Sequence, residues 1–460
     1  MIAVAAGHPA TADAGWEILA EGGNAADAAV AAAFASCVAE TVMTGLLGGG
    51  HAIYWDATAG AARNLDFFVA APGLGAPRRE VALVHLEVPF GEELVSYAIG
   101  PASCAVPGVP AGLHELWHTY GTLPWARLVA PALALARNGV DFPPAHAACL
   151  SMLAPVMTLD AGARIYAPGG ELLGAGSRLE QPGLAAAFEA IADEGAESVY
   201  RGTLADGFLR LMDDRAGLVT RSDLDAYEAR WSEPVEVRWL GRSVLTRAGL
   251  SGVPETLSRL PPVRDLGAAE RVLALVEALG GGPERPGDTT NLTVVDESGN
   301  ACVLTTSLGL GSGDFLPGYD LHLNSMLGEV DLLRGPLAPG ERMLSMMAPT
   351  VVVDDGLELA AGAAGGSRLR AALLLSVAGV LDEGLEPAAA VSRPRFHPAD
   401  ELVNAEPGVD EDALVELERC GRTIRRWPAL HHYFGGVSLV GRSGAAADPR
   451  RSGAVRPEAG

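Results

Sequence analysis

The feature that most constrains this 460-residue chain is a threonine at the point where a Gly/Pro-rich run becomes a β-hairpin. Gly280-Gly281-Gly282-Pro283-Glu284-Arg285-Pro286-Gly287 precedes Asp288-Thr289-Thr290-Asn291-Leu292-Thr293-Val294-Val295-Asp296. Leu292 to Val295 is rich in β-branched residues, Glu297-Ser298-Gly299-Asn300 reads as a turn, and Ala301 to Ser307 reads as the return strand. A cut before Thr289 would put a hydroxyl nucleophile and a free α-amine on one residue. A threonine hydroxyl is a poor nucleophile alone, and its own N-terminal amine is one of the bases that can activate it. Most Thr-Thr pairs at a strand start are only strand formers, so the rest of the chain has to decide.

Length gives a prior of about three domains, although single large α/β units also reach this size. Apolar residues make up 49% and charged residues 20%, which permits a sizeable core. The net charge of −24 argues against nucleic acid or an anionic membrane surface as partner. There is no lysine, which excludes a lysine P-loop and a lysine Schiff base. Cys37, Cys104, Cys149, Cys302 and Cys420 form no close pair, so isolated, buried, reduced thiols are expected. The first residues lack a basic n-region, and Ala28 to Ala39 is too short and Ala-rich to span a bilayer. A cytoplasmic protein is therefore expected. The scattered histidines show no metal spacing, and no cofactor or metal is expected.

Along the chain, Ala10 to Glu21 reads as an amphipathic helix stopped by Gly22-Gly23. Asn24 to Val38 follows as a helix apolar nearly all round, hence buried. The Thr44–Gly50 glycine loop leads into a strand, His51 to Trp55, with Arg63 to Phe68 as its partner. Leu184 to Gly207 reads as two helices flanking Val199–Gly202. Thr220 and Asp223 form a capping box, Val235 to Val244 alternates as strands, and Ala268 to Leu279 is a helix. Further on, strands at Val351 to Asp354 and Glu358 to Gly362 lead to Gly365-Gly366-Ser367, where a helix begins. Two glycines there make a strand-to-helix turn, and backbone N–H groups at a helix start also suit an oxyanion.

The run from Asp288 to Asn300 resembles the start of the small subunit in the γ-glutamyltranspeptidase family. His8-Pro9, Glu21 to Val30, Gly48-Gly49-Gly50, Ala105 to Leu113, Tyr120 to Trp125, Arg393 to His397 and Ala447 to Arg451 match the family in order. The resemblance covers almost the whole chain. It implies an α+β fold, the four-layer αββα sandwich of the N-terminal-nucleophile hydrolases. It implies self-cleavage between Asp288 and Thr289 into a large segment, 1–288, and a small segment, 289–460, that stay together as one αββα unit. Dimers of such pairs are left open. By the same resemblance Thr289 is the nucleophile, Gly365 and Gly366 form the oxyanion hole, and the Ser307 hydroxyl assists cleavage or orients the nucleophile; Thr290 and Ser307 are candidates to hold the α-amine, or else polar residues on a strand face.

The substrate readers are where this sequence departs. Phe68 stands where the family has an arginine for the glutamyl α-carboxylate. Asn324-Ser325-Met326-Leu327-Gly328 replaces an acidic run that binds the α-amine, with Glu329 one place later. Ser345-Met346 replaces a pair of serines. A site without the bidentate guanidinium clamps a carboxylate less well. The expectation is an amide hydrolase or acyltransferase acting on a small-molecule amide whose acyl group is non-glutamyl or only loosely glutamyl. Two alternatives stand beside it: an authentic γ-glutamyltransferase or glutathione hydrolase, and an uncleaved, non-catalytic binding or scaffold protein.

Overall fold

The computed structural model describes residues 1–77, 81, 83–90, 93–282, 289–329 and 332–457. Among them, two antiparallel sheets lie face to face. The seven-stranded sheet runs, edge to edge, Ala454–Arg456, Ala3–Ala6, Thr290–Val295, Ala301–Ser307, Gly49–Asp56, Ala61–Phe67 and Arg230–Ser232. The six-stranded sheet runs Gly444–Ala447, Gly436–Gly441, Gly356–Ala364, Thr350–Asp354, Arg242–Thr246 and Val235–Trp239.

Side-chain alternation builds the layers. Successive residues of a strand point to opposite faces. Ala3 and Ala5 pack between the sheets with Ile53, Trp55, Val303, Val351, Ala360 and Val440. Val4 and Ala6 turn the other way, into a core shared with Leu292, Val294 and the helices outside the first sheet. The central helix there, Ala25–Ala39, has every residue buried, as an all-round apolar helix requires. A third cluster joins the six-stranded sheet to helices Val253–Leu257, Ala268–Leu279, Arg368–Leu381 and Glu411–Arg419. Helices, sheet, sheet and helices give the αββα order that the resemblance implies.

The expected hairpin forms in register, with Thr290 opposite Thr306 and Val295 opposite Ala301. The capping box forms as well: the Thr220 side chain accepts from the Asp223 N–H, and the Asp223 carboxylate accepts from Thr220 N. The pair of helices expected within Leu184 to Gly207 forms as Pro182–Glu194 and Thr203–Asp214, and a further turn of helix, Glu197–Tyr200, lies between them and takes in Val199 and Tyr200 of the expected link. Cys37, Cys104, Cys149 and Cys302 are buried, but Cys420 is exposed, because it falls at the open end of helix Glu411–Arg419. Among the described residues no helix is long and apolar enough to cross a membrane.

Asp296, at the hairpin turn, ties this hairpin to the buried helix. Its carboxylate accepts from Ala25 N at 2.9 Å, Asn300 N at 3.0 Å and Asn300 Nδ2 at 2.9 Å. Asp296→Ala leaves these donors, one of them at a helix N-terminus, without their acceptor. The expected outcome is a loss of about 1–3 kcal/mol in urea-unfolding free energy with an unchanged m-value.

Candidate active site

Thr289 enters the seven-stranded sheet one residue ahead of strand Thr290–Val295 and is buried. The period-2 alternation gives the two threonines opposite surroundings. Asn291 and Thr293 face the second sheet: the Thr293 hydroxyl donates to Ser438 O at 3.0 Å, and Asn291 Nδ2 reaches the space above Gly362. Thr289 shares that face and lies against Ala364 and Gly436. Thr290 points with Leu292 and Val294 toward the helices.

There its hydroxyl donates to Glu40 Oε2, while Thr11 Oγ1 donates to Glu40 Oε1 at 2.6 Å. Glu40 follows helix Ala25–Ala39 and is fully buried. Burial pushes its carboxyl up to about 7, opposed by the two threonine hydrogen bonds and by Arg451. Gly7 is glycine for a local reason: a Cβ there would crowd Glu40 and sit 2.9 Å from Thr290 Oγ1. Sequence reasoning missed Glu40 because 57 acidic residues hide any one of them. The available signal was a charged residue closing a helix whose other charged residue, Asp27, is spent on its N-terminal cap.

Behind the site, Arg450 pairs with Glu406, and Arg395 with Asp448 at 2.5 Å, all four side chains buried. Asp448 also accepts from Val437 N at 3.1 Å. Val437, Asp448 and Arg451 line the small cavity on one side of Thr289, so this charged, cross-linked layer sets that wall.

On the other side of Thr289 lies a second cavity of about 30 Å³, room for a water or two in this state. Phe68, Ser307, Glu329, Ser345, Met346 and Gly366 line it, so six of the residues singled out from sequence meet beside Thr289. Ser307 sits on the return strand opposite Gly49, and its Oγ accepts from Gly309 N at 3.0 Å. Gly365 and Gly366 precede helix Arg368–Leu381 with φ of 124° and 59°, a region that disfavours side chains. A Cβ on Gly365 would also meet Gly435 Cα at 2.8 Å. Among the described residues neither glycine N–H donates a hydrogen bond within the protein.

Asn324 and Ser325 require a correction. Asn324 does not line this cavity. Its Oδ1 accepts from Ala105 N and Met326 N at 3.0 and 3.2 Å, and its Nδ2 donates to Leu47 O and Ala105 O at 2.8 and 2.9 Å. Ser325 Oγ accepts from Leu310 N at 3.1 Å. Both side chains hydrogen-bond where loops join, and neither lines the cavity beside Thr289. Asp288 lies outside the described residues.

One part of the cavity wall is apolar: Phe68, Met326, Leu332, Met346, Met347 and Leu369 line it beside the polar Ser307, Glu329 and Ser345. Phe68, Val69, Met326, Leu332, Met343, Met346 and Met347 form one buried cluster, and Phe68 stacks on His51 with ring centroids 5.5 Å apart. No arginine lines it among the described residues. Arg342, the nearest replacement by position, spends its guanidinium on Phe68 O, the Tyr227 hydroxyl and Glu228 O, with its plane 4.5 Å from the Tyr227 ring. Arg63 lies over Trp231 instead.

The γ-glutamyltranspeptidase family model matches residues 11–261 and 264–457. A glutathione hydrolase proenzyme of Bacillus subtilis (strain 168) is 26% identical, covering 98% of this chain and 90% of its own. The acylase ACY 1 proenzyme of Pseudomonas sp. (strain V22) is 27% identical, covering 95% and 89%. Among solved structures, cephalosporin acylase from Bacillus halodurans superposes with a TM-score of 0.84 at 25% identity, covering 100% of this chain and 96% of that one. With the sandwich and the matched glycine and threonine motifs in place, this chain belongs to the γ-glutamyltranspeptidase family and is an enzyme of its amide hydrolase and acyltransferase type.

Proposed function

We propose that this protein cuts itself between Asp288 and Thr289, and that Thr289 then carries amide hydrolysis or acyl transfer on an acyl group with an apolar body. The observation that carries the acyl assignment is the Phe68 and methionine wall beside Thr289, with no arginine in it among the described residues. The same wall speaks against an authentic γ-glutamyltransferase, whose substrate presents an α-carboxylate to this space. Cysteines that form no disulfide among the described residues support a cytoplasmic setting.

In the mechanism the freed α-amine of Thr289 takes the proton from its own Oγ as Oγ attacks the amide carbonyl. Gly365 and Gly366 N–H groups donate to the oxyanion as the carbonyl oxygen gains charge. The α-ammonium returns its proton to the leaving amine, the C–N bond breaks, and an ester to Thr289 remains. Water or a second amine releases the acyl group. Glu40 acts at one remove. By accepting the hydrogen bond from the Thr290 hydroxyl, an ionised Glu40 leaves the Thr290 lone pairs free to receive a hydrogen bond from the α-amine.

Three measurements check this reading. Intact-mass analysis of purified protein should show two fragments, 1–288 and 289–460, in place of one 47.3 kDa species, and only the full-length species for Thr289→Ala. A single full-length species in the wild type would favour the uncleaved scaffold alternative.

With chromogenic anilides, a neutral aliphatic acyl group should exceed γ-glutamyl in kcat/KM by about 10–100-fold, the value of a charged hydrogen bond that this pocket lacks. Comparable rates would restore the γ-glutamyltransferase reading.

Glu40→Gln should lower kcat by about 10–100-fold through a misplaced Thr290, with KM nearly unchanged. It also has a pH signature. The raised carboxyl of Glu40 stabilises the fold fully below its ordinary range near 4.5, and that contribution is lost as pH rises through about 7. The stability difference between wild type and Glu40→Gln should therefore move against the wild type across that window, read by chemical denaturation at each pH.

A further inference from the structure

A larger cavity, about 190 Å³, opens next to the one at Thr289 and shares Met346 and Gly366 with it. Its character is different. Arg334 and Arg370 line it, and no acidic side chain does so among the described residues. In a protein with a net charge of −24, two cations facing a space one residue from the proposed oxyanion glycine are out of keeping with the rest of the surface.

Arg370 is held in place rather than waving in solvent. It lies on the first turn of helix Arg368–Leu381 and is half-buried. Gly252, at φ 64°, leaves the space its guanidinium fills: a Cβ there would come within 2.8 Å of Arg370 Nη1. Among the described residues neither the Arg370 nor the Arg334 guanidinium makes a hydrogen bond or an ion pair. Burial and the like charge of Arg259 work against the charged form of Arg370, with Glu255 too distant for a salt bridge but acting in its favour. A guanidinium that is partly desolvated and lacks a bonded counterion is short of one anion.

We infer that this cavity is a subsite for a carboxylate on the substrate, held by Arg370 with Arg334 at the rim, one pocket away from the scissile amide. This rests on the proposed amide chemistry at Thr289 and narrows it: the substrate joins an apolar segment in the methionine-lined cavity to an anionic group beyond Gly366. The site is distinct from the position of Phe68, so it does not recreate the glutamyl clamp. The carboxylate belongs either to the far end of the acyl chain or to the leaving amine.

Three chromogenic substrates separate these sources: a neutral pentanoyl 4-nitroanilide, its glutaryl counterpart, and pentanoyl 3-carboxy-4-nitroanilide. One of the two acidic substrates should show a KM lower than the neutral one by about tenfold or more, the effect of one charge-assisted contact. Arg370→Met should abolish that advantage while leaving kcat/KM for the neutral anilide unchanged, and Arg370→Lys should restore part of it. Preference for the glutaryl compound places the carboxylate on the acyl chain, and preference for the carboxyanilide places it on the amine. Turnover of the neutral anilide with no acidic preference, or a preference that survives Arg334→Met/Arg370→Met, would overturn the subsite and leave the amide chemistry standing. If none of the three is turned over, the amide reading fails for these acyl groups, and calorimetric titration of the processed protein with 4-nitrobenzoate still decides the subsite. Binding weakened about tenfold in the double variant supports it, and equal or absent binding in both proteins overturns it.

Discussion

The arrangement depends on the pleat of one strand. Thr290–Val295 sits between Ala3–Ala6 and Ala301–Ser307 in the seven-stranded sheet, and both neighbours fix its register. A slip of one residue would exchange the two faces of the strand. Thr289 would then point at the buried helix, and Thr290 at the second sheet. Hydrophobic burial on both faces holds the register: Leu292 and Val294 on one side, Val295 with the intersheet core on the other. The chemistry proposed for Thr289 thus borrows its precision from packing along the next six residues rather than from contacts of its own.

The two sheets then divide the labour. The first supplies the threonine and, on its helical side, the Glu40 carboxyl that the Thr290 hydroxyl engages. The second supplies the Gly365-Gly366 turn and the wall carrying Val437 and Asp448. Because the sheets meet through small residues such as Ala3, Ala5, Ala301 and Ala360, their backbones approach closely enough for one strand end to serve the other. Close-packed interiors transmit such placements rigidly.

Polar residues at this site fall into two groups with different work. Asn324 and Ser325 satisfy backbone groups where loops cross. Ser345, Glu329 and Ser307 border open space beside Thr289. Residue type alone does not separate the groups, since an asparagine that joins loops and one that reads a ligand carry the same donors and acceptors. What separates them is whether the folded chain brings the side chain to the cavity beside Thr289.

Much of the architecture could be read from residues alone. The hairpin of Thr290 to Ser307, the apolar helix after Asn24, the capping box at Thr220, the helix Ala268–Leu279 and the glycine turn before Arg368 are local patterns, and local patterns carry their own physics of caps, periods and turns. Phe68 and Met346, marked from the residues alone, do line the cavity beside Thr289. Glu40, the loop-joining bonds of Asn324, the diversion of Arg342 to Tyr227 and the arginine-lined cavity were not legible there. Each is a meeting of groups tens to hundreds of residues apart, as Glu40 with Thr290 shows across 250 positions. Sequence determines which chemistry is available and how each segment bends. Only the folded chain decides which groups share a space, because desolvation and pairing act through distance in three dimensions and not along the backbone.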